Sequence, residues 1–78
     1  MPLAFVLISS EIGTENEVLK KLQQVENVVE AHVVYGVYDI VVKVKAETVD
    51  KLKETVTSKI RGLDKVKSTL TMIVTEST

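Results

Sequence analysis

At 78 residues the chain has room for one core, which buries only roughly 60–65% of the surface exposed on unfolding, and a single domain over residues 1–78 is expected. The absence of cysteine excludes disulfides, thiolate zinc sites and cysteine nucleophiles, and the lone His32 excludes any site needing two imidazoles, which leaves self-association to support so small a fold. A composition of 45% hydrophobic and 27% charged residues fits a folded chain, and a net charge of −1 gives no reason to expect nucleic acid as a direct partner.

Leu3-Ala4-Phe5-Val6-Leu7-Ile8 reads as a strand whose unbroken apolar run points to burial on both faces. The run is too short to cross a bilayer and lacks the basic leader and small-residue cleavage site of a signal peptide. A cytoplasmic chain without a membrane partner is expected. Thr14-Glu15-Asn16-Glu17 matches a capping box, in which the Thr14 hydroxyl accepts from the Glu17 amide and the Glu17 side chain reaches back to the Thr14 amide. The helix it opens puts Val18, Leu19, Leu22 and Val25 on one stripe and ends near Asn27.

Val28 to Val34 predicts a second strand, dense in β-branched residues. Tyr35-Gly36-Val37-Tyr38-Asp39 interrupts it, with Gly36 supplying the positive φ of a tight hairpin. Ile40 to Val44 predicts a third strand, with Ile40, Val42 and Val44 on one face and Val41, Lys43 and Lys45 on the other. A second helix follows, capped by Thr48 with Asp50 in its first turn. Its stripe is Val49, Leu52, Val56 and Ile60, and Gly62 is placed to terminate it. Val66 to Thr75 predicts a last strand, in which Leu70, Met72 and Val74 alternate with Thr69, Thr71 and Thr75.

The order βαββαβ holds two β-α-β units, residues 1–35 and 38–76. Joined by a hairpin, with right-handed crossovers, they give an α+β, ferredoxin-like plait: a four-stranded antiparallel sheet with both helices on one face. The uncovered face keeps roughly six to eight apolar side chains, more than a soluble monomer normally exposes. Dimerisation through the sheets, about a two-fold axis, is the expected cover. The plainer alternative is that strand one is only the centre of an ordinary core. Charge is also uneven: residues 43–67 carry eight basic and four acidic side chains, against two basic and six acidic in residues 1–42. Such a split orders subunits or recruits a charged partner, or else simply reflects solvated helix faces.

Chemistry has few places to reside. Glu30 and His32 share one face of the second strand, and a His–Glu pair can serve as base and orienter where a substrate site adjoins it; otherwise His32 fills a semi-polar strand position. Asp39 and Glu30 form a possible carboxylate pair without a specific spacing. There is no phosphate-binding glycine loop, serine-nucleophile elbow or metal-ligand spacing. No catalytic residue, metal or cofactor is therefore expected. The hairpin is more informative, because it gathers two aromatics, a glycine with an open amide and one carboxylate at a sheet end. Free amides hold a ligand carboxylate and Asp39 holds an ammonium group. Thr69 and Thr71, two residues apart, put both hydroxyls on one side of the last strand. Together these make a small polar pocket for a zwitterion, or else a plain turn beside ordinary strand threonines.

The stretch Val25 to Val41, VENVVEAHVVYGVYDIV, followed by Leu63 to Val74, LDKVKSTLTMIV, resembles the effector-binding domain of the Lrp/AsnC regulators, also called the RAM domain. The likeness rests on a Gly-x-x-Asp hairpin after strand two, here Gly36 and Asp39, and on a Thr-x-Thr in the last strand, here Thr69 and Thr71. It runs over essentially the whole chain. The resemblance implies a domain that dimerises through its sheets, with dimers assembling into rings, commonly of four dimers. It further implies that a free amino acid binds where neighbouring dimers meet, lined by Tyr35, Gly36, Val37, Tyr38 and Asp39, with Thr69 and Thr71 beside it.

Three departures from the family pattern matter. Full-length members carry an N-terminal helix-turn-helix domain, whereas this chain begins at the first strand, so a stand-alone effector domain is expected. It would bind no DNA directly and would co-assemble with full-length regulators. The usual Leu-Pro-Gly-Val turn is here Leu63-Asp64-Lys65-Val66, and Tyr35 stands where a small Ser or Thr is usual. Two other readings share the fold: a small dimeric α/β-barrel enzyme of the cofactor-free monooxygenase or isomerase type, and an ACT-like allosteric domain. The enzyme reading requires a cavity between helices and sheet with His32 or Tyr38 inside it.

Overall fold

The computed structural model describes residues 1–76, so the last two residues of the expected domain lie outside the described residues. Strand β1 runs Leu3–Ser10, helix α1 Glu15–Gln23, β2 Val28–Val33 and β3 Ile40–Lys45. Helix α2, Val49–Glu54, continues without a break into a π-helical segment, Thr55–Ile60, and β4 runs Val66–Ile73. All pairings are antiparallel, in the order β2-β3-β1-β4, which is the plait the sequence predicts. Strands β2 and β4 end one and two residues earlier than expected, where sheet edges fray.

The core is built from every second strand residue and one stripe of each helix. Ala4, Val6 and Ile8 of β1 meet Ile40, Val42 and Val44 of β3, and all six are fully buried. Val18 and Leu22 of α1 cover them from one side, together with Leu52, Val56 and Ile60 of the second helical element. Val49, which sequence spacing places on that stripe, is exposed. From Leu52 the two i+4 steps to Val56 and Ile60 drift roughly 80° around an α-helix, and the wider π turn takes up that drift so that all three face the core. Arg61 marks that turn by donating its amide to the Val56 carbonyl at 2.9 Å.

Two helix boundaries differ from expectation. The Thr14 hydroxyl forms no cap: its backbone holds φ −111° and ψ 9° rather than the extended conformation of a capping residue, and the hydroxyl donates to the Glu11 carbonyl at 2.6 Å instead. The expected cap at Thr48 forms, its hydroxyl accepting from the Lys51 amide at 3.1 Å. Asn27 takes φ 77° after α1, and its side-chain amide donates to the Thr55 hydroxyl at 3.0 Å. That bond clamps the α1–β2 connection to the start of the π segment. Gly62 serves by close approach rather than by a left-handed turn, since a Cβ there would lie 3.2 Å from the Ser58 carbonyl oxygen.

The opposite sheet face is uncovered. Leu3, Phe5 and Leu7, predicted to be buried, are only half-buried, so β1 is sealed on one side alone. Cross-strand register sets Val41 and Lys43 of β3 beside them on one flank, and Leu70 and Met72 of β4 on the other. Leu70 and Met72 are each 45% exposed. An apolar band therefore runs across the centre of this face, bounded on the β2 side by Glu30, His32 and Lys43.

Candidate ligand-binding site

The β2–β3 connection is a loop with a firm base and a free tip. At its base the Val34 amide donates to the Asp39 carbonyl at 2.8 Å, and the Asp39 amide donates to the Ile8 carbonyl at 2.9 Å. Asp39 Oδ2 accepts from the Ser10 amide at 2.9 Å and lies 3.4 Å from the Ser10 hydroxyl. These bonds fasten the loop to the end of β1. Beyond them Tyr35, Gly36 and Val37 are fully exposed, while Tyr38 and Asp39 are half-buried. Gly36 has φ 159°, close to extended, so it does not adopt the tight left-handed turn that its type predicts. Among the described residues no heavy atom beyond its two chain neighbours lies within 4 Å of where its Cβ would be.

Thr69 and Thr71 fall on the helix-facing side of β4, in register with Ile8 and Val6 of β1. They line a groove against the second helical element that includes none of the hairpin residues. Asp39 is bonded to β1 from its β3 side, and Thr69 pairs with β1 from the other, so about two strand spacings, roughly 10 Å, separate them. Within one chain, then, the seven expected site residues form two groups at the same end of the sheet rather than one pocket.

His32 and Glu30 do share a face. His32 Nε2 donates to Glu30 Oε1 at 3.3 Å, and Lys43 Nζ lies 3.4 Å from Glu30 Oε2. These two partners, His32 first, hold the Glu30 carboxyl below its ordinary range. The cluster sits on the uncovered face, with the His32 side chain 63% exposed, and not in a cavity between helices and sheet as the enzyme reading requires. Asp39 and Glu30 do not meet, since each carboxylate is occupied by different partners. Sequence reasoning missed Ser10 as the partner of Asp39, and Lys53, Thr57 and Arg61 as companions of the two threonines.

No helix among the described residues is long and apolar enough to cross a membrane. The Lrp/AsnC ligand binding domain model matches residues 3–78. A helix-turn-helix-type transcriptional regulator of Pyrococcus furiosus is 34% identical over 73 residues, covering 90% of this chain and 49% of its own. The regulatory protein AsnC of Escherichia coli strain K12 is 36% identical over 59 residues, covering 76% of this chain and 39% of its own. The crystal structure of FFRP-DM1 superposes with a TM-score of 0.90 at 43% identity, over 95% of this chain and 99% of that one. The chain thus spans about half the length, or less, of the curated relatives it matches. Both curated relatives are regulators, and the chain belongs to the Lrp/AsnC ligand-binding domain family.

Proposed function

We propose that the chain is an amino-acid-sensing assembly module and not an enzyme. In this reading it dimerises through the uncovered sheet face, and its dimers join into rings. A free amino acid binds where dimers meet, at the Tyr35–Asp39 hairpin with Thr69 and Thr71 close by. The observation that carries the reading is the hairpin itself, whose rigid base holds an exposed tip with an unobstructed glycine backbone. A tip so exposed gains little for the single chain, yet it presents free main-chain donors and two tyrosines to a ligand or a neighbouring dimer.

Two groups at one end of the sheet, separated within one chain, come together only when a second dimer supplies the missing half. That accounts for a ligand acting on assembly: bound between dimers, it shifts the equilibrium by its unequal affinity for joined and separate states. The same contacts serve in mixed rings with full-length regulators of the family, by which the module modulates transcription. The test is calorimetric titration of the twenty amino acids into the wild type and Gly36→Ala. The surroundings of Gly36 are open but its φ of 159° is one that L-residues rarely adopt, so a melting curve of Gly36→Ala accompanies the titration to show that the variant is folded, while the added methyl blocks close approach of a ligand carboxylate. Equal affinity in the two proteins, or binding by neither, overturns the hairpin as the effector site.

A further inference from the structure

The second helical element changes pitch where it passes β4. In a regular α-helix, residues eight apart differ by roughly 80° in direction, and the extra residue of one π turn takes back roughly 100°. Lys53 and Arg61 therefore lie on nearly one side of the helix, with Thr57 between them. Across a groove from this row stand Thr69 and Thr71, on the edge strand β4, while Val56 and Ile73 supply apolar lining. The groove measures about 440 Å³, within the size range of small-molecule sites.

Its polar groups are uncommitted. Among the described residues Lys53 and Arg61 form no ion pair, whereas Lys21, Lys43 and Lys51 each face a glutamate. The hydroxyls of Thr57, Thr69 and Thr71 likewise make no hydrogen bond among the described residues, in contrast to those of Thr14, Thr48 and Thr55. Among the described residues no carboxylate lines the space. Two cations and three hydroxyls select an anion, and cations eight residues apart, at most about 12 Å along the helix axis, select one with a charge at each end. Arginine's planar fork suits a carboxylate, and the apolar lining suits a short carbon chain better than a bare inorganic ion.

We propose that the groove between the second helix and β4 binds a small dicarboxylate through Lys53, Arg61, Thr57, Thr69 and Thr71. The site shares Thr69 and Thr71 with the effector reading and goes beyond it, because Lys53, Thr57 and Arg61 are new to it, no hairpin residue lines it and it needs no second dimer.

The test is an NMR amide-shift titration of the full 78-residue chain with succinate, with L-glutamine and sodium chloride at matched ionic strength as controls. Succinate has no amino group, so its binding is separable from that of an amino-acid effector. Expected are saturable shifts at Thr57, Arg61 and residues 69–71. L-Glutamine should move the Thr57 and Arg61 amides, which the groove does not share with the effector reading, only at about tenfold higher concentration or more, and Lys53→Gln and Arg61→Gln should each weaken succinate about tenfold. Both side chains are exposed, so the variants keep the dispersed spectrum of the folded chain. Shifts that chloride reproduces, unchanged affinity in both variants, or shifts confined to residues 35–39 would each overturn the groove. The last of these would leave the hairpin reading standing.

Discussion

Asp39 Oδ2 sits 2.9 Å from the Ser10 amide nitrogen, across 29 residues of sequence, and so joins the base of the β2–β3 hairpin to the last residue of β1. Ser10 is 5% exposed and follows the irregularity where the register of β1 with β4 shifts, so the carboxylate satisfies an amide at a break in the ladder. The residue that sequence reasoning offers to a ligand's ammonium group therefore has one oxygen already occupied in holding the loop. Both roles are compatible, since Oδ2 carries the bonds to Ser10 and the second oxygen is left over.

Two substitutions at this position separate the roles. Asp39→Ala leaves the buried Ser10 amide without an acceptor, which costs about 1–3 kcal/mol. Asp39→Asn keeps an acceptor oxygen and should retain most of that stability while removing the charge an ammonium group needs. Urea denaturation of the three proteins, beside calorimetric titration of the amino acid, checks both statements. An Asp39→Ala protein with the wild-type midpoint would contradict the anchoring role. An Asp39→Asn protein that binds as well as wild type would contradict the ion pair to the ligand.

Lys65 adopts φ 76° in the turn that leads into β4. A left-handed conformation costs an ordinary L-residue roughly 1–2 kcal/mol, and glycine avoids this at an entropic cost of roughly 0.5–1 kcal/mol. The turn resembles the family's Leu-Pro-Gly-Val pattern with lysine at the glycine place, and that lysine sits in the left-handed region. Lys65→Gly should therefore stabilise the domain by up to about 1 kcal/mol, which for a chain this size raises Tm by about 4–8 °C. An unchanged or lowered melting temperature would count against strain at Lys65.

Glu30 contributes to the acid limb of stability. His32 and Lys43 lower its pKa in the folded state, so the folded chain binds its proton less readily than the unfolded chain does. The resulting stabilisation is fully present above the ordinary carboxylate range and is lost as pH falls through the folded-state pKa. Glu30→Gln should shift thermal stability at neutral pH and leave it close to wild type at the acid end. Parallel curves for the two proteins across the whole range would show that the cluster contributes nothing.

Much of this fold was legible because local signals agreed with the global pattern. The Thr48 cap, the β-branched runs of β2 and β3 and the stripe of Leu52, Val56 and Ile60 each pointed to the element that formed. Thr14 misled because two acceptor and donor choices lay within one turn, and sequence spacing does not rank Glu11 against Glu17. The π segment was hidden for a related reason: successive i+4 apolar residues fit an α-helix tolerably, and only packing against the sheet decides where the extra residue is absorbed. For the proposed site, residue types alone nominate the hairpin. Its fastening to Ser10, and the meeting of Lys53 and Arg61 with Thr69 and Thr71, depend on strand order and helix pitch, which no short-range pattern encodes.

Native mass spectrometry of the pure protein, with and without a mixture of the twenty amino acids, tests the central claim most directly. The expected spectrum contains dimers and rings of dimers, redistributed by the mixture and carrying the mass of one amino acid per subunit. A monomer, or a dimer that neither gains mass nor changes its assembly when amino acids are present, would contradict a sensing module built on this sheet face and hairpin.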